Sequence, residues 1–340
     1  MSLRVVLATE KAGYMAPIIP ALVGGGATIV GHVAPHRTWR RRHFGHWRYA
    51  PVLRRHAPAC RILPFADAGD WPGIIAALEP LAPDLIVSAY FPYRLPAPVL
   101  AMARLGGVNL HPARLPWYAG ASPLHAMLLN GDELRFGGMT LHCMTENFDA
   151  GPIIGAGTLD PDVWRAASTL NSALAGAAAA LCAGPLLQWI NGHITPRAQL
   201  QGDFPRSRIK DIDGLDPATV TTDRVAWLLR LFRKGLPVRT PEGVHHAGPM
   251  LRRLGPPTGE APRRVAPRRL QFDCADARLE ARKPGGLERR LHKLTGRIPD
   301  PRPRGQPIAP ACVLTADQNA DCIARMAACN PAGPAATCST

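Results

Sequence analysis

Short apolar runs, separated by helical or irregular stretches, dominate the first part of the chain. The runs predict strands at Arg4–Thr9, Thr28–Val33, Cys60–Leu63, Leu85–Ala89 and Gly107–Leu110. A helical pattern at Tyr14–Val23 separates the first two of them. Short buried strands that alternate with helices are typical of an α/β fold with an open, mostly parallel, twisted sheet. We therefore predict that fold class, in which ligands bind at the carboxyl ends of the strands.

The pattern changes twice further along the chain. Gly138–Met144 alternates and predicts an antiparallel strand, and the alanine-rich region Val163–Ile190 predicts helices that close the first domain. Val220–Phe232 then carries one helical pattern, and proline and arginine accumulate after it. We expect three parts: a catalytic domain over 1–192, a smaller C-terminal domain over 193–255, and an Arg/Pro-rich linker and tail of poor order over 256–340.

The composition narrows the class of protein. Hydrophobic residues make up 46% of the chain and charged residues 19%, which is typical of a globular protein. The N-terminus lacks the pattern of a signal peptide and the apolar runs are short for a membrane span, so we expect a cytoplasmic protein without a membrane partner. The eight cysteines show neither zinc-pair nor disulfide spacing, so we expect free thiols and no metal site.

The net charge of +15 is concentrated in part in the segment Pro35–His56. No acidic residue lies between Glu10 and Asp67, and aromatic rings are interleaved with arginines in this segment. Arginine contacts phosphate and aromatic rings stack on unpaired bases, so the segment is a candidate tRNA contact. The arginines that carry this hypothesis are Arg37, Arg40, Arg41 and Arg42. A solvated basic loop, or one that holds the phosphates of a nucleotide-linked sugar, is the alternative.

Candidate chemistry lies at the end of the fifth predicted strand. Asn109 and His111 are two positions apart there, so their side chains point to the same side of the sheet. Pro112 follows them, and Asp149 lies later in a tight Asp-Ala-Gly loop. Each of these residue types is common in turns when it occurs alone. Their combination with the surrounding sequence is more specific.

That surrounding sequence resembles the 10-formyltetrahydrofolate-dependent formyltransferases. The family carries Asn-x-His, then usually a Ser-Leu-Leu-Pro loop, and later an Asp-Thr-Gly loop; this chain has NLHPARLPWYAG and FDAGPII. The resemblance is strongest over Pro83–Gly155. It implies a Rossmann-like catalytic domain that moves a formyl group from 10-formyltetrahydrofolate, as cosubstrate, to an amine without a metal.

The resemblance also implies roles for individual residues. Asn109 would donate to the oxyanion of the tetrahedral intermediate, and protonated His111 would stabilise it or transfer a proton. Asp149 would orient His111 and favour its charged form. The folate pocket would be formed by Tyr90, Phe91, Leu95, Ala113, Arg114, Leu115, Pro116, Glu146 and Asn147.

The sequence indicates the amine that accepts the formyl group less clearly than the formyl donor. Methionyl-tRNA formyltransferases usually carry Gly-Thr-Pro after the first strand and Arg-Ile-Asp-Trp at the start of the C-terminal domain, whereas this chain has LATEKAGYMAP and SRIKDID. The segment Gly137–Ile154 is at least as similar to the amino-sugar and specialised-metabolite members. We therefore expect a small-molecule amine, with methionyl-tRNA as the alternative that Pro35–His56 favours.

Other classes of function fit the sequence less well. A non-catalytic RNA-binding protein on this fold accounts for the basic aromatic segment but not for the three intact catalytic positions. The family's formyltetrahydrofolate hydrolase has an additional N-terminal module, so we expect transfer to an amine instead. A dinucleotide-dependent oxidoreductase is disfavoured, since the first strand–helix turn, ATEKAGYM, has no Gly-x-Gly-x-x-Gly.

Overall fold

The computed structural model describes residues 2–35, 50–207, 214–232, 235–283 and 313–315. Arg37, Arg40, Arg41 and Arg42, the candidate tRNA contact, lie outside the described residues. Most of the predicted tail, 284–312 and 316–340, lies outside them as well.

The first part of the chain alternates strands and helices, as its apolar pattern predicts. Its strands are β1 (Leu3–Thr9), β2 (Ala27–Pro35), β3 (Arg61–Phe65), β4 (Leu85–Ala89), β5 (Gly107–His111), β6 (Ala119–Gly120), β7 (Gly138–Cys143) and β8 (Ile153–Thr158). Its helices are α1 (Ala12–Gly24), α2 (Ala50–His56), α3 (Trp71–Leu78), α4 (Ala97–Leu100), α5 (Pro123–Asn130), α6 (Glu133–Phe136), α7 (Ala167–Leu181) and α8 (Leu187–Ile190).

The later part of the chain has shorter helices and strands, and its strands are mostly antiparallel. It begins with β9 (Arg206–Ser207) and α9 (Thr222–Leu231), and continues with the hairpin β10 (Leu236–Thr240) and β11 (Gly243–Ala247). A four-stranded antiparallel sheet follows, made of β12 (Met250–Gly255), β13 (Arg263–Ala266), β14 (Arg269–Asp273) and β15 (Arg278–Arg282). The last described element is β16 (Val313–Thr315).

The large sheet has the strand order β16-β8-β7-β5-β4-β1-β2-β3. The five strands from β3 to β5 are parallel, and β7, β8 and β16 are antiparallel to their neighbours. This confirms the predicted fold class. The chain reverses direction across the sheet between β1 and β4, which is where open α/β sheets bind ligands.

Both faces of the large sheet are covered, which explains its continuous apolar runs. Along β1, Val5 and Leu7 join the core that contains α1 and α7, whereas Val6 and Ala8 join the core that contains α3. The stretch Ala167–Ile190 is long and apolar enough to cross a membrane. Leu170, Leu174 and Leu181 within it are nonetheless buried in the first of these cores.

The second sheet differs from the expected linker. The sequence analysis ends the small domain at residue 255, but β13, β14 and β15 lie within 256–283 and belong to the four-stranded sheet. Leu270 and Phe272 on β14 alternate with polar residues and are buried, and Leu279 and Ala281 on β15 repeat the pattern. The abundance of arginine and proline concealed this period of two, which is the signal of a half-buried strand.

The two parts of the chain are joined by specific contacts. Strand β9 pairs in parallel with β6, beside the carboxyl end of β5. The guanidinium of Arg224 on α9 contacts both carboxylate oxygens of Glu133 on α6, at 2.6 and 3.0 Å. Strand β16 pairs with β8 at the far edge of the large sheet.

Candidate active site

The structure brings together the three residues that the sequence analysis singles out. Asn109 and His111 lie on β5, and Asp149 lies in the loop between β7 and β8. Asn109 Nδ2 is 3.3 Å from Asp149 Oδ1, and His111 Nδ1 is 3.4 Å from Asp149 Oδ2. The side chains of His111 and Asp149 are 4% and 9% exposed, so the carboxylate is largely shielded from water.

Asp149 is fixed by its main chain as well as by its carboxylate. Its φ of 53° lies in the left-handed region, which aspartate tolerates better than most residues. Gln199 Nε2 donates to the carbonyls of Asp149 and Gly151, at 2.7 and 2.8 Å, and thereby holds the loop in this conformation. The Gly120 N–H donates to Asp149 Oδ2 at 2.8 Å. Sequence reasoning missed Gln199, because it comes from a polar stretch without a pattern.

His142 is a further member of the site that the sequence analysis did not select. It lies on β7 directly opposite Asn109, and its Nε2 is 3.2 Å from Asn109 Nδ2 and 3.5 Å from Asp149 Oδ1. Its Nδ1 lies 2.8 Å from the carbonyl of Cys143, which can only accept, so Nδ1 carries the proton and Nε2 accepts from Asn109. The sequence shows only a histidine within a predicted strand; its position opposite Asn109 depends on strand register.

The orientation of His111 is set by a main-chain group. Its Nε2 lies 3.0 Å from the carbonyl oxygen of Tyr118. Because a carbonyl accepts only, Nε2 carries a proton and donates it to this oxygen. Nδ1 therefore faces the Asp149 carboxylate and is the nitrogen at which a second proton is gained or lost.

Burial and neighbouring charges set the protonation states. Burial opposes the ionisation of Asp149, but His111, His142 and the Gly120 N–H together hold the pKa of Asp149 well below its ordinary value. Full burial lowers the pKa of His111, and this outweighs the opposite effect of Asp149. At neutral pH the site therefore holds a carboxylate next to a neutral imidazole. Asp149 favours the charged form of His111, as expected, but does not keep it protonated.

The residues assigned to the folate pocket are found on three loops around this cluster. Tyr90, Phe91 and Leu95 follow β4, Glu146 and Asn147 precede Asp149, and Ala113, Arg114, Leu115 and Pro116 follow β5. The side chains of Ala113 and Leu115 are fully buried in packing clusters, so they shape the third loop from within. The Arg94 guanidinium donates to the carbonyl of Glu146 and thereby joins the first two loops.

A cavity of about 470 Å³ lies beside the first two loops. Its lining residues are Trp71, Tyr93, Arg94, Pro96, Ala97 and Glu146. The rings of Phe65, Trp71, Phe91 and Tyr93 form one aromatic cluster at this end of the sheet. Of the residues predicted for the folate pocket, Glu146 lines the cavity and Phe91 supports its aromatic wall.

Comparison with known proteins finds a family match over part of the chain. Residues 69–178 match the formyl transferase family. Methionyl-tRNA formyltransferase of Bacillus licheniformis is 31% identical over 191 residues, which cover 55% of this chain and 58% of that enzyme. The chain thus spans little more than half the length of this relative.

Solved structures share the fold at low sequence identity. An N-formyltransferase from Helicobacter canadensis, solved with folinic acid and dTDP-3-aminofucose, superposes with a TM-score of 0.54 at 14% identity, over 84% of this chain and 100% of that chain. A variant of HypX from Aquifex aeolicus gives a TM-score of 0.52 at 14% identity, over 83% of this chain and 44% of that chain. The part of this chain that matches the formyl transferase family, residues 69–178, contains Asn109, His111 and Asp149.

Proposed function

We propose that this chain transfers the formyl group of 10-formyltetrahydrofolate to an amine. The observation that carries the proposal is the cluster of Asn109, His111 and Asp149 at the carboxyl end of β5, within the region that matches the family. In this reaction the amine attacks the formyl carbon, the carbonyl oxygen becomes an oxyanion, and the bond from carbon to N10 then breaks. The attacking nitrogen loses a proton and N10 gains one, so tetrahydrofolate leaves as a neutral amine.

Each side chain of the cluster suits one part of this chemistry. One N–H of the Asn109 amide would donate to the oxyanion while the other stays on Asp149, so the contact of Nδ2 with His142 Nε2 would be given up when the donor binds. His111 Nδ1 is unprotonated at neutral pH and would take up the proton of the attacking nitrogen, and the adjacent Asp149 carboxylate would stabilise the positive charge that this creates. The cavity next to Trp71, Tyr93 and Arg94 offers aromatic rings and a cation, which suit a ring-bearing carboxylic acid such as a folate.

For the acceptor we propose a small-molecule primary amine such as an amino sugar. The departures from the tRNA enzymes after the first strand and at SRIKDID support it. The Helicobacter N-formyltransferase that shares this fold over 84% of this chain was solved with dTDP-3-aminofucose.

Methionyl-tRNA is the second candidate acceptor. Several methionyl-tRNA formyltransferases are 30% to 36% identical to parts of this chain. The basic aromatic segment Pro35–His56, through Arg37, Arg40, Arg41 and Arg42, would hold the tRNA. A non-catalytic RNA-binding protein is the alternative of another class, and it predicts that the chain does not bind folates.

Removal of Asn109 or Asp149 tests the donor chemistry. We expect Asn109→Ala and Asp149→Ala each to lower turnover on the order of a hundredfold or more, because each removes a group that stabilises charge in the transition state. Asn171→Ala is the matched control, since Asn171 is a hydrogen-bonded amide on α7 away from the site. Turnover is measured by formyl transfer and folding by circular dichroism. Near-normal turnover in either site variant contradicts the assignment.

An acceptor screen distinguishes the two candidate acceptors. The protein is incubated with 10-formyltetrahydrofolate and with methionyl-tRNA, aminosugar nucleotides or small amines, and the products are identified by mass spectrometry. We expect an N-formylated small amine. Efficient formylation of methionyl-tRNA, with an affinity that falls steeply with salt, supports the tRNA acceptor instead.

A further inference from the structure

The segment Tyr118–Gly120 contributes two main-chain groups to the candidate catalytic pair. The Tyr118 carbonyl accepts from His111 Nε2 at 3.0 Å, and the Gly120 N–H donates to Asp149 Oδ2 at 2.8 Å. A shift of this short segment therefore changes the surroundings of both side chains at once. What holds the segment in place also holds His111 and Asp149.

Tyr118 is an unusual residue for this position. Its φ of 58° lies in the left-handed region, where a bulky side chain is uncommon and strains the main chain. Such a conformation persists only where surrounding contacts favour it. It directs the carbonyl of Tyr118 to His111, while the Tyr118 ring is fully buried between the segment and α6.

The Tyr118 hydroxyl adds side-chain contacts to the main-chain bonds by which Pro205 and Ser207 hold this segment. It donates to the Asp132 carboxylate and accepts from Asn130 Nδ2 at 3.1 Å. Burial and the Asp132 carboxylate raise the pKa of Tyr118, so the hydroxyl stays protonated and remains a donor. Asp132, which accepts this hydrogen bond, lies in the turn between α5 and α6. Its own N–H donates to the carbonyl of Met127 at 2.9 Å.

We propose that Tyr118 is a positioning residue: its hydroxyl, bound to Asp132, fixes the Tyr118–Gly120 segment so that His111 keeps its proton on Nε2 and presents Nδ1 to Asp149. The inference rests on the proposed function, because His111 and Asp149 are its candidate catalytic pair. Tyr118 itself touches neither substrate nor the reacting atoms. It acts through the main chain, which is why no catalytic motif at this position reveals it.

Tyr118→Phe is the direct test, because it deletes the hydroxyl and keeps the ring. The first readout is the ¹⁵N NMR signal of His111, assigned by comparison with His111→Gln. We expect the full-length protein to show His111 protonated on Nε2 alone, and Tyr118→Phe to show a mixture of tautomers. The second readout is kinetic: we expect kcat to fall about tenfold, as for a small misplacement of a catalytic group, with KM unchanged.

Asp132 offers a second pair of variants should Tyr118→Phe not fold. Asp132→Ala removes the group that accepts the hydrogen bond from the Tyr118 hydroxyl, whereas Asp132→Asn keeps a neutral hydrogen-bond acceptor there. The His111 tautomer and kcat should therefore change more in Asp132→Ala than in Asp132→Asn. Thr240→Val is the matched control, since it also deletes a buried, hydrogen-bonded hydroxyl but lies on β10 in the second part of the chain. It is expected to lower the melting temperature without changing the His111 signal.

The outcomes separate this inference from the proposed function. An unchanged His111 tautomer in Tyr118→Phe and Asp132→Ala overturns the inference, whatever happens to the melting temperature. So does a changed tautomer with unchanged kcat. If the wild-type protein transfers no formyl group to any amine, the proposed function fails, but the NMR comparison still decides whether Tyr118 positions His111.

Discussion

At the scale of single residues, the candidate catalytic pair consists of the Asp149 carboxylate and the neutral His111 imidazole, and both groups are buried. Burial lowers the pKa of His111, and the neighbouring histidines and N–H groups lower the pKa of Asp149. Both pKa shifts change the free energy of unfolding in the same direction. In each case the unfolded chain takes up a proton at a higher pH than the folded chain, so acid destabilises the fold.

The two groups act in different pH ranges. The His111 contribution is lost as pH falls below about 6.5, the ordinary value for histidine, and the Asp149 contribution only below about 4. We expect the free energy of unfolding, measured in urea, to fall between pH 7 and pH 5, and to fall less in His111→Gln. His193→Gln is the control, because its side chain is exposed to solvent. An identical slope in wild type and His111→Gln would rule out a buried neutral His111.

At the scale of elements, the site depends on a close approach between β6 and β9. Gly120 has a φ of 124°, and a Cβ atom there would lie 1.9 Å from the carbonyl oxygen of Ser207. The pairing of these strands places the Gly120 N–H against Asp149. A residue with a side chain cannot occupy this position unless β9 moves away.

We therefore expect Gly120→Ala to destabilise the protein by about 2 kcal/mol or more and to lower turnover at the same time. Gly192→Ala is the matched control: Gly192 also has a positive φ, of 75°, but no atom within 4 Å of its Cβ position. It should cost about 1 kcal/mol and leave turnover unchanged. Urea unfolding and formyl transfer measure the two effects. Equal stability of the two variants would show that β6 and β9 do not approach this closely.

The strands also show which parts of the fold can be predicted from the sequence. The buried runs at Leu85–Ala89 and Gly107–Leu110 match β4 and β5, because parallel strands that are covered on both faces are apolar throughout. The alternation with helices predicts parallel strands but not their order in the sheet. The strands β13 to β15 were missed, since in β14 and β15 only every second residue is apolar and polar or charged residues fill the other positions, while β13 begins with two arginines.

The same limit applies to the site. Asn109, His111 and Asp149 were found because they lie in recognisable local sequence. His142, Gln199 and the Tyr118 carbonyl were not, because their contacts depend on strand register, on a loop from the second part of the chain and on a main-chain conformation. Such contacts link residues that are distant in sequence and leave no local pattern.

At the scale of the molecule, one ion pair joins the two parts of the chain. Arg224 on α9 holds Glu133, whose side chain is 5% exposed, and also donates to the carbonyl of Leu128 at 2.9 Å. Glu133 follows directly on Asp132, the partner of the Tyr118 hydroxyl. The second part of the chain thus secures the turn on which the positioning of His111 depends.

Arg224→Ala leaves a buried carboxylate without its partner, so we expect it to cost about 3 kcal/mol of unfolding free energy. Glu133→Gln in the same chain should recover part of this loss, because the uncompensated charge is then removed. Arg165→Ala is the control, since its pair with Asp162 is exposed and should contribute less than about 1 kcal/mol. Urea unfolding of the single and double variants measures the coupling. Additive effects of the two substitutions would contradict it.

The pairing of β16 with β8 has a consequence for how the molecule is made. The ribosome releases β8 long before Val313, so the outer edge of the large sheet is completed only when most of the chain has been synthesised. Until then the main chain of Gly155–Gly157 offers hydrogen-bonding groups that a strand from another nascent chain can bind. The last described strand therefore ends an interval during translation in which the catalytic sheet is open to association with other copies.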